Sequence, residues 1–388
     1  MKLLWLDLNS SYAHSSLALP ALHAQIADDE AIEWDIVSAT INENVGMVAG
    51  EVYRRCPDLL AATVWLFNHE QLLHIISRVK ALLPQCCIVL GGPEFLGDNE
   101  FFLRSNPFVS CVFRGEGEEV FPQWITHRNN PSEWKNIPGL CYLDSHGNYI
   151  DNGIARVLDF HHLVPPEKSR FFNWSKPFVQ LETTRGCFNT CAFCVSGGEK
   201  PVRTLSIEAI RERLQIIHRH GIKNVRVLDR TFNYNTRRAK ELLELFLEFA
   251  PDIRFHLEMH PALLSEELKE ELKRLPEGLL HLEAGIQSLR EPVLVQSRRM
   301  GRLSDALEGL KFLCALPNME THADLIAGLP LYHLSEIFED IRVLAEYGAG
   351  EIQLESLKLL PGTEMRRRAE ELGIPVSYTH LRAHETLS

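Results

Sequence analysis

The chain has 388 residues, 45% of them hydrophobic, and a formal net charge of -12. That length favours two or more domains with cores of ordinary size, and the acidic balance argues against a general nucleic-acid-binding surface. No apolar run is long enough to span a bilayer, and the opening Met-Lys-Leu-Leu-Trp-Leu-Asp meets an acid too soon to be a signal-peptide core, so the expected compartment is the cytoplasm.

In chain order, the first third alternates apolar runs at 3–8, 34–38, 59–66, 87–90 and 110–113 with helix-spaced stretches at 17–26 and 72–83. The pattern predicts an α/β fold that starts with a doubly wound, Rossmann-like parallel sheet over residues 1–123, whose ligands bind beyond the carboxyl ends of the strands. Three loops follow those ends: Asn9-Ser10-Ser11, Gly91-Gly92-Pro93-Glu94 and Gly115-Glu116-Gly117. Each glycine alone reads as a tight turn, but their joint placement marks the loops as candidate binding elements. Prolines and glycines punctuate 124–175, as expected of an interdomain connection. His161-His162 in that stretch reads as a solvent-facing or capping pair, because no partner ligands stand at metal-binding spacing.

Between 176 and 375, strands are expected at 178–182, 224–228, 253–258, 280–286, 321–326 and 351–357, with helical patterns between them. Six β/α units make a partial (β/α)6 barrel with its functional loops at the strand carboxyl ends. The loop after the first strand holds Cys187, Cys191 and Cys194 as C-x3-C-x2-C. Three thiolates so close can carry three irons of a [4Fe–4S] cube, and without a fourth cysteine at ferredoxin spacing one iron stays open. A structural zinc knot needs four closed ligands, and no Cys or His follows closely enough to complete it. Cys56, Cys86, Cys87, Cys111, Cys141 and Cys314 are scattered and read as small buried hydrophobes. His256, Glu258 and His260 share one strand face, but side chains two apart on one strand rarely converge on one ion. Glu258 is therefore read as a polar contact to cosubstrate or substrate.

The cysteine run, with Phe193 before its third cysteine, resembles the signature of the radical S-adenosylmethionine superfamily. The resemblance implies that the open iron chelates the amino and carboxylate groups of S-adenosylmethionine, and that one electron from the cluster cleaves a C–S bond to give a 5′-deoxyadenosyl radical. It implies that Asp229, in Asp-Arg-Thr-Phe-Asn, accepts from the methionine ammonium, and that Glu283 and Gln287, in Glu-Ala-Gly-Ile-Gln-Ser, line the barrel near the ribose. Arg299, with Arg298 beside it, stands where relatives clasp the carboxylate, a role that suits a guanidinium fork. The run from Asp324 to Pro330 resembles the fifth-strand segment that meets adenine, and Leu360-Pro361-Gly362-Thr363 the sixth-strand terminus.

The front domain resembles the cobalamin-binding members of that superfamily, which implies a corrinoid able to deliver a methyl group. Their Asp-x-His-x-x-Gly run is absent: Asp7-Leu8-Asn9 places asparagine at the cobalt-ligand position, and His14 lies several residues on. The resemblance implies a cobalamin-linked radical enzyme that methylates or rearranges an unactivated carbon of a small-molecule substrate. An external electron donor such as flavodoxin or ferredoxin would feed it, with no membrane or nucleic-acid partner. A methylthiotransferase-like enzyme and a non-catalytic corrinoid or iron-sulfur carrier remain as alternatives. Residues 376–388 show no structural period and are expected to be non-native.

Overall fold

Strand β1 (Lys2–Asn9) buries both of its faces, Leu3 and Trp5 on one side and Leu4, Leu6 and Leu8 on the other. Two-sided burial of this kind belongs to a central parallel strand covered by helices on each face. In the computed structural model, which describes residues 1–14 and 16–374, β1 pairs in parallel with β2 (Glu33–Thr40) and β3 (Leu59–Thr63). Strands β4 (Cys87–Gly91) and β5 (Cys111–Phe113) continue the parallel ladder. An antiparallel edge follows, made by β6 (Leu140–Leu143) and β7 (Tyr149–Asp151), for an order β2-β1-β3-β4-β5-β6-β7. These last two come from the segment read as a connection. At three and four residues they are too short to display a period.

The order reverses between β1 and β3, so helices cover both faces. Val45–Arg55 and His69–Leu82 pack on one, Ala18–Gln25 and Val120–His127 on the other. The apolar run 59–66 is longer than its strand because Asn68 folds the remainder into a loop. The buried Asn68 amide donates to the carbonyls of Leu8 (2.9 Å) and Thr63 (3.1 Å), and its oxygen accepts from the Trp65 N–H (2.8 Å). This sheet and its helices form one compact unit, Met1–Asn173 with Leu360–Gly362, and Trp174–Leu359 with the segment resuming at Thr363 forms a second.

The second unit opens with β8 (Val179–Leu181). A short hairpin of β9 (Thr184–Arg185) and β10 (Arg203–Thr204) then brackets the cysteine loop. Strands β11 (Asn224–Val227), β12 (Arg254–Met259), β13 (Leu280–Gln287), β14 (Glu320–Ala327) and β15 (Glu351–Ser356) pair in parallel in chain order, beginning from β8. With no reversal, right-handed crossovers put every helix on one side, the winding of a partial barrel with open edges at β8 and β15. Ser206, Asn235 and Ser265 cap the helices Ile207–Arg219, Thr236–Leu247 and Glu266–Arg274 by accepting backbone N–H bonds. In β13, Leu280, Leu282, Ala284 and Ile286 are buried, while His281, Glu283, Gly285 and Gln287 form the alternate, polar row.

Cys86, Cys111 and Cys141 are buried as expected, and Cys87 and Cys314 are half-buried. Cys56 is exposed instead, in the left-handed conformation that ends the helix Val45–Arg55. No helix among the described residues is long and apolar enough to cross a membrane. The tail expected at 376–388 lies outside the described residues.

Candidate active site

Two turns of backbone hydrogen bonds shape the cysteine loop. The Cys194 N–H donates to the Cys191 carbonyl (3.1 Å) and the Gly197 N–H to the Cys194 carbonyl (3.0 Å). A Cβ on Gly197 would lie 2.4 Å from the Cys191 carbonyl oxygen, so only glycine permits this fold of the loop. Two further bonds clamp the loop to the segment after β13: the Ala192 N–H donates to Ser297 (2.9 Å) and the Met300 N–H to Asn189 Oδ1 (3.2 Å). Phe193 packs beside a small apolar cluster that includes Val293, Leu329 and Met365.

Cys187 and Cys191 are buried and Cys194 is half-buried. Burial raises the thiols of Cys187 and Cys191 above the ordinary range. The neighbouring Cys194 sulfur raises both further, while Arg299 works against the shift at Cys191. Three thiols that sense one another, within reach of a fixed guanidinium, suit a bound cationic centre better than three separate core residues.

Sequence reading put Arg299 in the clasping role with Arg298 beside it, and the structure sets the two apart. Arg298 is exposed, in a left-handed conformation, and pairs with Glu364 at 2.5 Å. Arg299 turns inward. Its Nη2 donates to the Gly285 carbonyl, and its Nη1 stands 3.7 Å from Cys191 Sγ. It thus links the carboxyl end of β13 to the cysteine loop.

Asp229 lies just beyond β11 and is 1% exposed. Its Oδ1 accepts from the N–H groups of Thr183 (2.9 Å) and Thr184 (2.8 Å), and its Oδ2 accepts from the Thr183 hydroxyl. Burial raises its carboxyl above the usual range, against these bonds. The side chain therefore fixes the backbone between β8 and the cysteine loop, a role its sequence context did not suggest. Asn233, also missed, makes a reciprocal backbone pair with His260, accepting its N–H and donating to its carbonyl, both at 2.9 Å. The signal available for both was a short polar side chain directly after an apolar strand.

The polar row of the barrel strands carries the remaining candidates. Glu258 makes no hydrogen bond among the described residues. Burial, opposed by Arg230 and reinforced by Glu283, Asp324 and Asp229, raises it to about 7. His256, which shares its face, bonds instead to Glu283 at 2.8 Å, and His260 Nε2 reaches the Met300 carbonyl at 3.0 Å, so the three do not converge. Burial disfavours the Glu283 anion, but hydrogen bonds from His256 and Asp324 outweigh it and lower its pKa. Burial and the neighbouring Glu283 raise Asp324. Gln287 stands at a bulge against β14 with φ of 72°, which turns its side chain back toward Gly285 and Arg299.

In the first unit the three predicted loops lie along the carboxyl edge of one sheet, after β1, β4 and β5. The loop after β3, with Trp65 and Phe67 stacked 6.2 Å apart, stands between the first two and had not been singled out. Asn9 turns its amide back to Asp7 Oδ2 (2.8 Å), Ser11 Oγ sits 2.8 Å from His14 Nδ1, and Ser10 Oγ is 3.5 Å from the same nitrogen. His14 is exposed in this loop rather than packed on the helix Ala18–Gln25. Gly92 has φ of 113° and no room for a Cβ, which would meet the Val64 carbonyl at 2.5 Å. The residues Gly91 and Pro93 hold that turn tight so that Glu94 points inward. Its Oε2 lies 3.2 Å from His69 Nδ1, and its Oε1 is buried with no hydrogen-bond partner. Gly115 and Gly117 flank Glu116, whose Oε2 accepts the Val157 N–H at 2.8 Å.

The second unit is thus a partial barrel with three interacting thiols and an inward arginine at its strand carboxyl ends, and the first is a doubly wound sheet. Residues 181–344 match the Radical SAM superfamily and residues 6–125 match the B12 binding domain, so the chain carries a radical SAM domain with a B12 binding domain ahead of it. An uncharacterized methyltransferase of Pyrococcus horikoshii is 28% identical over 250 residues, covering 61% of this chain and 53% of that protein. The cobalamin-dependent radical SAM methyltransferase TokK of Streptomyces tokunonensis is 22% identical over 347 residues, covering 82% of this chain and 50% of its own length. The radical S-adenosylmethionine methyltransferase TsrM of Kitasatospora setae, solved with cobalamin and a [4Fe-4S] cluster bound, matches with a TM-score of 0.74 at 16% identity. That match covers 95% of this chain and 75% of TsrM and is a likeness of fold. The chain spans about half the length of the curated relatives it matches.

Proposed function

We propose that this protein is a radical S-adenosylmethionine enzyme that uses cobalamin to transfer a methyl group to an unactivated carbon of a small molecule. The observation that carries the proposal is the mutual interaction of the Cys187, Cys191 and Cys194 thiols in one loop without a fourth cysteine, with Arg299 beside Cys191. Bound there, a [4Fe–4S] cluster supplies the electron that cleaves S-adenosylmethionine, and cobalamin supplies the methyl group.

The chain's own residues position these reactants. The three thiolates hold three irons, and the clamp to Ser297 and Met300 keeps the loop in one conformation. Arg299 offers a guanidinium beside Cys191 for the cosubstrate carboxylate. Glu258, half-protonated near neutrality and free of other bonds, suits the methionine ammonium or a substrate proton. Glu283, Gln287 and Asp324 supply polar contacts along the same row, and Phe193 an apolar one. Asp229 acts one step back by holding the Thr183–Thr184 backbone. In the first unit, Asn9, Ser10, Ser11, the Gly91–Glu94 turn and the Gly115–Gly117 loop border the proposed corrinoid site, and the unpartnered Glu94 Oε1 fits a ligand rich in amide donors. A flavodoxin or ferredoxin in the cytoplasm would serve as reductant.

A methylthiotransferase would want a second cluster in the first unit. Its cysteines are divided instead between the two cores, Cys86 and Cys141 in one and Cys111 in the other, with Cys87 packed beside the latter. The proposal is tested by incubating anaerobically reconstituted protein with S-adenosylmethionine and dithionite. Reductant-dependent 5′-deoxyadenosine is expected, and it should disappear in Cys187→Ala, Cys191→Ala and Cys194→Ala. Equal product from any of these variants would overturn the assignment.

A further inference from the structure

The opposite end of the barrel carries a second cluster of ligating groups that the radical chemistry does not use. His281 is the second residue of β13, His322 the third of β14 and Glu351 the first of β15, so all three stand near the amino ends of adjacent strands. The register pairs His322 directly with Glu351 across β14 and β15. One ligand atom from each of the three lies within 4.8 Å of the others. Unlike His256, Glu258 and His260, which follow one another on a single strand, these groups come from three strands and can converge on one point.

Two features point to a ligand. His322 is 6% exposed, and its Nε2 faces Asp324 Oδ1 at 2.9 Å as an ion pair. A carboxylate behind an imidazole is the usual outer partner that orients a metal-bound histidine. At the other side, Glu351 is exposed and leaves the site open to solvent. Glu320, 3.9 Å from His281 Nδ1 and paired with Arg254, stands by as a further oxygen donor.

We propose that His281, His322 and Glu351 bind a divalent transition metal, of the class that takes two imidazoles and a carboxylate with a position left for water. The site is separate from the cysteine loop: His281 and Gly285, which bonds Arg299, are four residues apart, about 13 Å along the strand. The ion would tie the ends of the last three strands together, including the edge strand β15.

The test uses full-length protein with its iron-sulfur cluster already loaded, so that the loop thiolates are occupied, and titrates it with Co2+ as a spectroscopic probe. One equivalent of Co2+ should bind with ligand-field bands of nitrogen and oxygen coordination and without thiolate charge transfer, and the thermal midpoint should rise. Affinity should fall at least tenfold in Glu351→Gln, an exposed change that spares the core, and in His281→Ala, with iron content unchanged in both. No Co2+ bound beyond the cluster, or binding equal in wild type and both variants, would overturn the proposal. Either result leaves the assignment of the cysteine loop untouched.

Discussion

At the scale of single residues, each polar group of the barrel mouth is either tied to the backbone or left available. Arg299 is held by one bond to Gly285, with the rest of its fork near Cys191. Arg299→Ala should weaken S-adenosylmethionine binding by about 1.5–3 kcal/mol while leaving iron content intact. Equilibrium binding to the loaded protein measures it, and unchanged affinity would remove Arg299 from the cosubstrate site. Asp229 gives the reverse expectation. Asp229→Ala removes three hydrogen bonds from a buried junction and should cost about 2–4 kcal/mol in urea denaturation of the cluster-free chain. A variant of native stability that loses only cosubstrate affinity would return Asp229 to direct binding.

Glu258 ties chemistry to pH. A carboxyl raised from 4.5 to about 7 keeps its proton in the fold while ionising in the unfolded chain. Its contribution to stability is therefore complete below about 4.5 and is lost as pH rises through 7, to an extent of roughly 3 kcal/mol at most. Denaturation midpoints of the cluster-free protein between pH 5 and 8 should fall with rising pH, and Glu258→Gln should flatten that slope. Parallel slopes in both proteins would show that another group is responsible.

At the scale of elements, the cysteine loop works because its backbone is fixed before any metal arrives. Gly197→Ala retains every thiol but drives a methyl group into the Cys191 carbonyl. Iron incorporation should fall several-fold while the far-ultraviolet circular dichroism stays native. Full incorporation would mean the loop tolerates a different path. The same scale shows what was legible in sequence. The eleven strands of the two parallel ladders stood out as apolar runs between helix-spaced stretches, so both parallel sheets could be read. Strands β6 and β7 could not, because their length leaves no period. The choice of Arg299 over Arg298 rested on the resemblance alone: the left-handed backbone at Arg298 redirects the chain, and nothing in two adjacent arginines encodes which one does so. The convergence of His281, His322 and Glu351 was hidden for the same reason, since strand register is a tertiary property.

At the scale of the whole molecule, two units with different winding serve two different tasks. The reversal between β1 and β3 is where a corrinoid is proposed to bind in the first, and unreversed winding in the second aligns the polar row of adjacent strands. The central claim is that one chain holds both cofactors. Its most direct test is the absorption spectrum of protein expressed with hydroxocobalamin and purified without oxygen. The account predicts corrinoid bands together with the broad charge-transfer absorption of an iron-sulfur cluster, the latter lost in Cys191→Ala and the former retained; a spectrum of cluster alone would contradict it.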